Sequence, residues 1–234
     1  MTKIQKLEES YIKNIFESIS KDYDLMNDLI TFKYHSKWKK EIAMIGKEDN
    51  PKVILDIATG TGDIAINLSK LKDSQIIGVD ISEKMLDVAG DKIRKMNITN
   101  ITFELSKAEK LKYKNNFFDL ISIGYGVRNF EDLINGLKES YRVLKKNGKL
   151  IILETSVPNN FLIKYLYLLF TSIYIPLISF IFTKNMKAYN YLLDSTKEFP
   201  HEKEFKKILG SVGFKNIASK KKFFGISTIY ILTK

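Results

Sequence analysis

The sequence predicts an α/β fold with a wound, mostly parallel sheet, and two patterns support this. From Lys52 onward, short apolar runs alternate with helical stretches such as 82–96 and 131–145, as in parallel βαβ units. Near the C-terminus, "KNIASKKKF" and "ISTIYILTK" resemble two strands with almost nothing between them. Because so short a return forces antiparallel pairing, we expect the last strand of the sheet to be antiparallel.

The predicted strands follow one another in a simple order, with helices before and after them. The apolar runs that define the parallel strands are "KVILDI", "QIIGVD", "ITFEL", "FFDLISIG" and "KLIILET". No repeat or Pro- or Ser-rich linker marks a domain boundary, so we expect a single domain. Its predicted parts are a helical N-terminal cover (1–50), a core (51–156), a hydrophobic insertion (157–200) and a C-terminal helix with two strands (201–234).

Composition excludes several classes of site. The 234 residues are 44% hydrophobic and 12% aromatic, as in a packed globular protein. The chain has no cysteine, and its two histidines, His35 and His201, are far apart, so we expect no metal. The charged N-terminus does not resemble a secretory signal, and we therefore expect a cytoplasmic protein.

The formal charge of +11 has three interpretations: a nucleic-acid partner, an anionic membrane, or compositional bias. Only three of the 38 basic residues are arginine, the side chain that bidentate recognition of bases and phosphates favours. We therefore expect no nucleic-acid partner. Membrane attraction and compositional bias both stay open at this point.

A glycine-rich turn follows the first predicted strand. The segment "GTGDIA", Gly60 to Ala65, matches the G-x-G-x-x-G/A pattern of nucleotide-binding loops, and Asp80 ends the next strand, where such folds bind a ribose. A dinucleotide would place its pyrophosphate at the start of the following helix, where Asp63 would repel it. The turn therefore favours a ligand with a ribose but without a phosphate there.

S-adenosylmethionine meets both requirements, because it carries an adenosine ribose and a cationic end. Asp80 would accept hydrogen bonds from the ribose hydroxyls, while Asp56 and Asp63 would lie near the ammonium or sulfonium group. A purely structural alternative is that Asp63 caps a helix. The whole set of acidic and glycine residues at strand ends favours the cofactor, since wound sheets bind ligands beyond the carboxyl ends of their strands.

Several separated motifs resemble one family. "YDLMNDLITFKYHSKW" (23–38), "YGVRNF" (125–130) and "RVLKKNGKLIILETS" (142–156) resemble the ubiquinone/menaquinone biosynthesis C-methyltransferases, which are class I S-adenosylmethionine-dependent methyltransferases. "FP" at 199–200 and "GISTIY" near the end extend the resemblance over essentially the whole chain. It implies a Rossmann-like, seven-stranded sheet with a helical insertion after the fifth strand.

The resemblance also implies which residues hold the cofactor. They are Asp56, Gly60, Thr61, Gly62, Asp63, Asp80, Lys107, Ala108 and Gly124. Lys107 is a departure, because the family usually has Asn or Asp there to accept from the adenine amino group, and lysine has no acceptor. We expect Ala108 to contribute a backbone N–H instead. Thr31 and Lys146-Asn147 also depart from the family pattern in ways that preserve a hydroxyl and a turn.

The reaction implied by the resemblance is C-methylation of a demethylated quinol, such as demethylmenaquinol to menaquinol, with the benzoquinol step of ubiquinone synthesis left open. Arg128 and Asn129 follow the fourth strand and are the first candidates for holding or deprotonating the quinol oxygen. An ordinary ion pair of Arg128 with Glu131 or Asp132 is the alternative. Tyr23 and His35 are further candidates for proton transfer, although a structural role is at least as common for a lone histidine.

The stretch from Tyr165 to Phe182 has no charge over eighteen residues, the lower limit for a membrane span. Pro176, expected to break a helix there, and the bordering Lys164 and Lys184 argue against spanning. Core or dimer packing and a wall for an isoprenoid tail are the other interpretations, and we favour the wall. The expected partner is thus a lipid-soluble quinol, with peripheral contact at the inner face of the membrane and a homodimer left open.

Two rival functions remain at this stage. A dinucleotide-dependent oxidoreductase is disfavoured by Asp63, and a non-catalytic scaffold of the same fold is disfavoured by the intact acidic loop and "YGVRN".

Overall fold

Seven strands form one sheet in the computed structural model, which describes residues 8–183 and 185–234. They are β1 (Val53–Ile57), β2 (Gln75–Asp80), β3 (Ile101–Leu105), β4 (Phe118–Gly124), β5 (Leu144–Thr155), β6 (Lys215–Lys222) and β7 (Ser227–Thr233). The spatial order is β3-β2-β1-β4-β5-β7-β6, and β7 pairs antiparallel with both of its neighbours. The predicted fold class, with its antiparallel last strand, is confirmed.

Helices precede, separate and follow these strands. Those in the described residues are α1 (Glu9–Ile19), α2 (Tyr23–Thr31), α3 (Tyr34–Lys47), α4 (Asp63–Leu68), α5 (Glu83–Lys95), α6 (Leu133–Val143), α7 (Phe161–Phe182), α8 (Met186–Glu198) and α9 (Glu202–Val212). The helix predicted over 131–145 ends earlier, because Leu144 already pairs with Phe118 of β4. The first seven residues of the predicted N-terminal cover, and Lys184, lie outside the described part of the chain.

The central strands are buried on both faces, as expected for a parallel sheet covered by helices. Ile57 and Ile121 belong to a core cluster that also contains Leu137 of α6 and Leu209 of α9. On the other face, Ile54, Leu120 and Ile151 pack in a cluster with Ile42 of α3 and Leu68 of α4. Because side chains alternate along a strand, neighbouring residues of β1 serve different layers. The carboxyl ends of the strands remain the edge at which loops gather.

The predicted break at Pro176 is wrong: α7 runs without interruption from Phe161 to Phe182. A proline removes one backbone hydrogen bond and bends a helix, but the helix continues where packing holds its two halves together. Ile175 and Ile178, on either side of the proline, are both buried and supply this packing. The insertion is therefore two helices, α7 and α8, that pack against each other and against the N-terminal helices.

Candidate active site

The glycine turn connects β1 to α4, and Asp80 at the end of β2 holds it. Gly60 and Gly62 have φ values of 56° and 82°, in the left-handed region that favours glycine. The Gly60 N–H donates to Asp80 Oδ2 at 2.8 Å, and the Ser82 N–H donates to Asp80 Oδ1 at 2.9 Å. Burial raises the pKa of Asp80 above its ordinary value. Since a carboxylate has about four acceptor positions, two remain for a ligand.

A first cavity of about 680 Å³ opens at the carboxyl ends of β1, β2 and β4. Among the predicted cofactor residues, Gly60, Asp80, Lys107, Ala108 and Gly124 line it. We call this space the strand-end cavity.

The other predicted cofactor residues lie behind its wall. Asp56 is 1% exposed and accepts hydrogen bonds from Thr59 Oγ1 at 2.7 Å and Ser122 Oγ at 2.6 Å. Burial raises its pKa to about 6, although both hydroxyls favour the charged form. Asp56 therefore braces the turn from beneath and does not line the strand-end cavity.

Asp63 belongs to a charged cluster that joins the turn to the N-terminal helices. Its carboxylate accepts from Lys39 Nζ at 2.8 Å and Lys92 Nζ at 2.7 Å. Lys92 also contacts Asp24 of α2 at 2.5 Å, and Asp24 accepts from Thr61 Oγ1 at 2.6 Å. Burial opposes ionisation of Asp63, but the two ammonium groups hold its pKa well below the usual range. The two lysines thus offset the negative charge of Asp63, which weakens the argument that Asp63 would repel the pyrophosphate of a dinucleotide.

A second, larger cavity of about 1440 Å³ lies beside the first, between the N-terminal helices, α7, α8 and the β6–β7 turn. Its lining is mostly aromatic and aliphatic, and includes Tyr34, Trp38, Ile163, Leu166, Tyr167, Phe170, Ile175, Tyr189, Leu192 and Leu193. We call it the apolar cavity. Tyr23 and Tyr125 line both spaces, so the two cavities meet at these rings.

Arg128 reaches the apolar cavity from the loop after β4 and forms a buried ion pair. Its Nη1 donates to Glu154 Oε1 at 2.5 Å and to the Tyr125 carbonyl at 2.8 Å, while Nε donates to Ser195 Oγ at 3.3 Å. Burial alone disfavours the charge, but Glu154 keeps the pKa of Arg128 above its ordinary value. The expected ion pair with Glu131 or Asp132 is corrected: the carboxylate on Nη1 comes from β5, the strand next to β4.

Asn129, the neighbour of Arg128, lines the strand-end cavity instead. Its Nδ2 donates to the Tyr125 carbonyl at 3.1 Å, and its Oδ1 accepts from the Tyr191 hydroxyl at 2.9 Å. His35 lines the apolar cavity, with Nδ1 2.8 Å from Thr31 Oγ1. Burial, with help from Lys39, lowers the pKa of His35 to about 4. The imidazole is therefore neutral at pH 7 and a weak proton acceptor.

Lys107, the departure from the family pattern, lies at the rim of the strand-end cavity. Its Nζ pairs with Glu9 Oε2 at 2.8 Å and lies 3.8 Å from Glu131 Oε2. Glu9 belongs to α1, which thereby reaches the same rim.

Sequence reasoning missed Lys39 and Glu154, although both left a signal. Lys39 lies on the same helical face as the buried His35, Trp38 and Ile42, so the helical periodicity of the sequence could have predicted that it is buried. Glu154 is a carboxylate at the carboxyl end of an apolar strand, where a charge needs a partner. Among the described residues, no group of three or more His, Asp or Glu could hold a metal ion.

Comparison with known proteins decides the family. The model of the ubiE/COQ5 methyltransferase family matches residues 4–234. The chain belongs to this methyltransferase family. A demethylmenaquinone methyltransferase of Chlorobaculum parvum is 38% identical over 236 residues, with 99% of this chain and 95% of that protein covered.

Further relatives extend the comparison. A ubiquinone/menaquinone biosynthesis C-methyltransferase of Geobacter sulfurreducens is 36% identical over 222 residues, covering 94% of this chain and 86% of that protein. The crystal structure of a SAM-dependent methyltransferase from Aquifex aeolicus has a TM-score of 0.61 at 18% identity, and covers 97% of this chain and 98% of that one. The latter likeness bears on the fold, which is that of class I methyltransferases, as the sequence predicted.

Proposed function

We propose that this member of the ubiE/COQ5 family transfers the methyl group of S-adenosylmethionine to a ring carbon of a demethylated isoprenoid quinol, demethylmenaquinol being converted to menaquinol. The observation that carries the proposal is the junction of the two cavities at Tyr23 and Tyr125. A space at the strand ends that contains Gly60 and Asp80 suits the donor, and an adjoining, larger apolar space suits a lipid-soluble acceptor. The names of the two relatives support the same reaction, and the second keeps the benzoquinol of ubiquinone synthesis as the alternative substrate.

The strand-end cavity fits the cofactor. Asp80 keeps two acceptor positions for the ribose hydroxyls after holding Gly60 and Ser82. Gly60 is left-handed, and a Cβ there would meet nothing within 4 Å, so the turn has room for a ligand. Ala108 lines the cavity where the adenine is expected. Asp56, Thr61, Gly62 and Asp63 support this wall from behind. When bound, S-adenosylmethionine supplies an electrophilic methyl group.

The chain's task is then to make the ring carbon nucleophilic. Loss of the proton from the neighbouring quinol hydroxyl moves electron density onto that carbon, and a donor that holds the resulting oxyanion favours the step. Three N–H groups of Arg128 are occupied, but among the described residues its Nη2 has no hydrogen-bond partner. We assign Nη2 the quinol oxyanion. Glu154 fixes the guanidinium, and Asn129 and Tyr23 flank the junction; His35 is too weakly basic to be the first choice as the proton acceptor.

The apolar cavity would take the ring and the first part of its tail. Ile163, Phe170 and Ile175 of α7 form one wall, and Leu192 and Leu193 of α8 form another. Burying an isoprene unit against such side chains contributes about 25 cal/mol per Å² of apolar area.

The other face of α7 is exposed and also apolar. Leu162, Tyr165, Leu169, Ile173, Leu177 and Phe180 follow each other at helical spacing, and each is at least 46% exposed. By length and composition, α7 is the one described helix that could cross a membrane. However, α8 begins at Met186, directly after α7, and packs back against it, so crossing would pull apart the wall of the apolar cavity. We infer that α7 lies along the membrane surface.

The distribution of charge supports this placement. Three segments contribute residues to the lining of the apolar cavity: 29–40, 155–193 and 215–234. Together they contain 12 lysines and no Asp, Glu or Arg. The rest of the chain holds 26 of the 38 basic residues and all 27 acidic residues, so its charges nearly balance. The positive excess therefore lies in segments that contribute to the cavity lining, although Lys39 pairs with Asp63 and Lys234 lies at the other end of the sheet, beside Asn116. Anionic lipid attracts each basic residue near its surface by about 1 kcal/mol. The enzyme would then work at the cytoplasmic face of the membrane.

Vesicle co-sedimentation tests the membrane contact. We expect binding to equal mixtures of phosphatidylcholine and phosphatidylglycerol, no binding to phosphatidylcholine alone, and release by salt. Ile173→Glu should abolish binding, while Met96→Glu, at an equally exposed position just after α5, should not. Resistance to carbonate would indicate a spanning helix. A dimer that Ile173→Glu converts to monomers would show that a second copy covers α7 instead.

The activity itself is tested with purified protein, labelled S-adenosylmethionine and each reduced demethyl quinol. We expect label in the naphthoquinol product, with no metal added. Label in the benzoquinol alone would assign the ubiquinone step. Lack of cofactor binding by calorimetry would indicate a scaffold, and binding of NADH, seen by fluorescence, would favour an oxidoreductase.

A further inference from the structure

An ion pair between α1 and the loop after β3 lies at the rim of the strand-end cavity. Lys107 Nζ is 2.8 Å from Glu9 Oε2, and both residues line the cavity. The two side chains are 35% and 44% exposed, so a ligand in the cavity can reach them. Among the described residues, Glu9 Oε1 has no hydrogen-bond partner. The carboxylate of Glu9 therefore keeps acceptor positions for a ligand.

The place of this pair along the sheet edge indicates which part of the cofactor it meets. The glycine turn follows β1, Asp80 ends β2 and Lys107 follows β3, and these three strands are neighbours in the order β3-β2-β1. A ligand with its ribose at Asp80 and its cationic end at the turn has its base on the β3 side. That side of the cavity is the one at which Glu9 and Lys107 meet.

Adenine presents a 6-amino group that donates hydrogen bonds and loses water when the base is bound. Lys107 cannot accept from it, because an ammonium group has three donors and no acceptor. The hydrogen bond to Glu9 raises the pKa of Lys107, so the lysine stays charged. Glu109, another acid of the cavity wall, already accepts the Asp132 N–H at 3.3 Å. Glu9 offers an acceptor at the rim instead.

We propose that Glu9 accepts a hydrogen bond from the 6-amino group of the cofactor's adenine, and that Lys107 positions the carboxylate for it. The inference rests on the proposed function, since it names S-adenosylmethionine as the ligand. Helix α1 is then part of the cofactor site and not only a cover over it. A site that accepts from an amino group discriminates against a purine that lacks this group.

Titration calorimetry with two ligands tests the assignment. The ligands are S-adenosylhomocysteine and its analogue with a hydrogen atom in place of the 6-amino group. Wild type should bind the first about tenfold more tightly, since one charge-assisted hydrogen bond is lost in the second. Glu9→Ala should weaken binding of the first ligand alone, so that the preference disappears. Glu17→Ala is the matched control: Glu17 is also an acid of α1, pairs with Lys13 at 3.8 Å and lines neither cavity.

Three outcomes would overturn the assignment. Equal weakening of both ligands in Glu9→Ala would show that Glu9 only holds α1 in place. Equal affinity of wild type for both ligands would show that the amino group has no acceptor. A preference lost in Glu131→Ala but kept in Glu9→Ala would assign the amino group to Glu131, whose Oε2 lies 3.8 Å from Lys107 Nζ.

Two further measurements keep these outcomes distinct. Urea unfolding checks the variants, and Glu9→Ala should unfold as wild type does, because a half-exposed ion pair contributes little to stability. If wild type binds neither ligand, the proposed function fails and this inference fails with it. Binding by wild type without a change in Glu9→Ala overturns the role of Glu9 alone.

Discussion

Arg128 Nη1 lies 2.5 Å from Glu154 Oε1, and the two side chains are only 6% and 0% exposed. The carboxylate also accepts the backbone N–H of Arg128 at 3.3 Å and that of Thr155 at 2.8 Å. The pair thus ties the loop after β4 to the end of β5 and fixes the guanidinium at the wall of the apolar cavity.

Glu154→Gln should destabilise the protein, because it leaves the Arg128 charge buried without a counter-charge. Removal of one partner from a buried pair costs about 3 kcal/mol or more. Urea unfolding measures the loss. The matched control is Asp194→Asn, which removes the acid of an exposed pair with Lys197 and should change stability by less than about 0.5 kcal/mol. Equal effects of the two substitutions would contradict the importance of burial here.

Arg128→Lys separates catalysis from cofactor binding. Lysine keeps the charge but loses the planar fork that donates to Glu154, Tyr125 and Ser195 while leaving Nη2 for the quinol. We expect turnover to fall by about 10²-fold, as for loss of one oxyanion donor, with cofactor affinity nearly unchanged in titration calorimetry. Preserved turnover would mean that Arg128 is only a structural ion pair.

Asp80→Asn should weaken cofactor binding at least tenfold, because the charge-assisted bonds to the ribose are worth about 1.5–3 kcal/mol each. We choose Asn over Ala because Asp80 also holds the Gly60 and Ser82 N–H groups, so truncation would destabilise the turn as well. The comparison variant is Asp119→Asn, an acid at the start of β4 that is not part of either cavity wall. Unchanged calorimetric affinity in Asp80→Asn would remove Asp80 from the ribose site.

His35 makes stability depend on pH. The pKa of His35 is about 4 in the folded protein, below the ordinary 6.5. Between these two pH values, His35 is protonated in the unfolded chain but neutral in the folded one. Stability from this group is therefore lost as pH falls from 6.5 to 4, by about 3 kcal/mol in all. His35→Gln should flatten that part of the curve in urea titrations at several pH values. An unchanged slope between pH 4 and 6.5 in His35→Gln would contradict this assignment.

Substitutions on two neighbouring faces of α7 test where the isoprenoid tail of the substrate binds. Phe170→Ala should raise the KM of a long-tailed quinol several-fold more than that of a tail-free analogue, because Phe170 lines the apolar cavity. Ile173→Ala, on the exposed face, should not discriminate between the two substrates in detergent solution. Tyr174 is a poorer choice, since it packs against Phe32 and Phe170 and does not line the cavity. Equal KM changes in Phe170→Ala would place the tail elsewhere.

Local sequence predicted those parts of the fold and site that depend on neighbours in the chain. The spacing from Gly60 to Asp80 follows from one βαβ unit, so their contact at the end of the sheet was foreseeable. Pro176 misled because helix propensity is local, whereas the buried Ile175 and Ile178 hold α7 through tertiary contacts. A break was therefore predicted where none exists.

Pairings between distant segments were harder to predict. Arg128 was expected to pair with an acid next to it in sequence, but its partner is 26 residues away on the adjacent strand. The two lysines on Asp63 come from α3 and α5, and no periodicity links them.

The walls that α7 and α8 give the apolar cavity favour tolerance of quinone chain length. Isoprene units are identical, and the hydrophobic effect has no preferred direction. The free energy of tail binding therefore depends on the apolar area that contacts side chains such as Phe170 and Leu192, and not on the total number of units. Units beyond the walls would lie in the lipid against which we propose that α7 rests. Selection would then act on the ring alone, and a cell that lengthens or shortens its quinone tail would keep the same methyltransferase without altering its sequence.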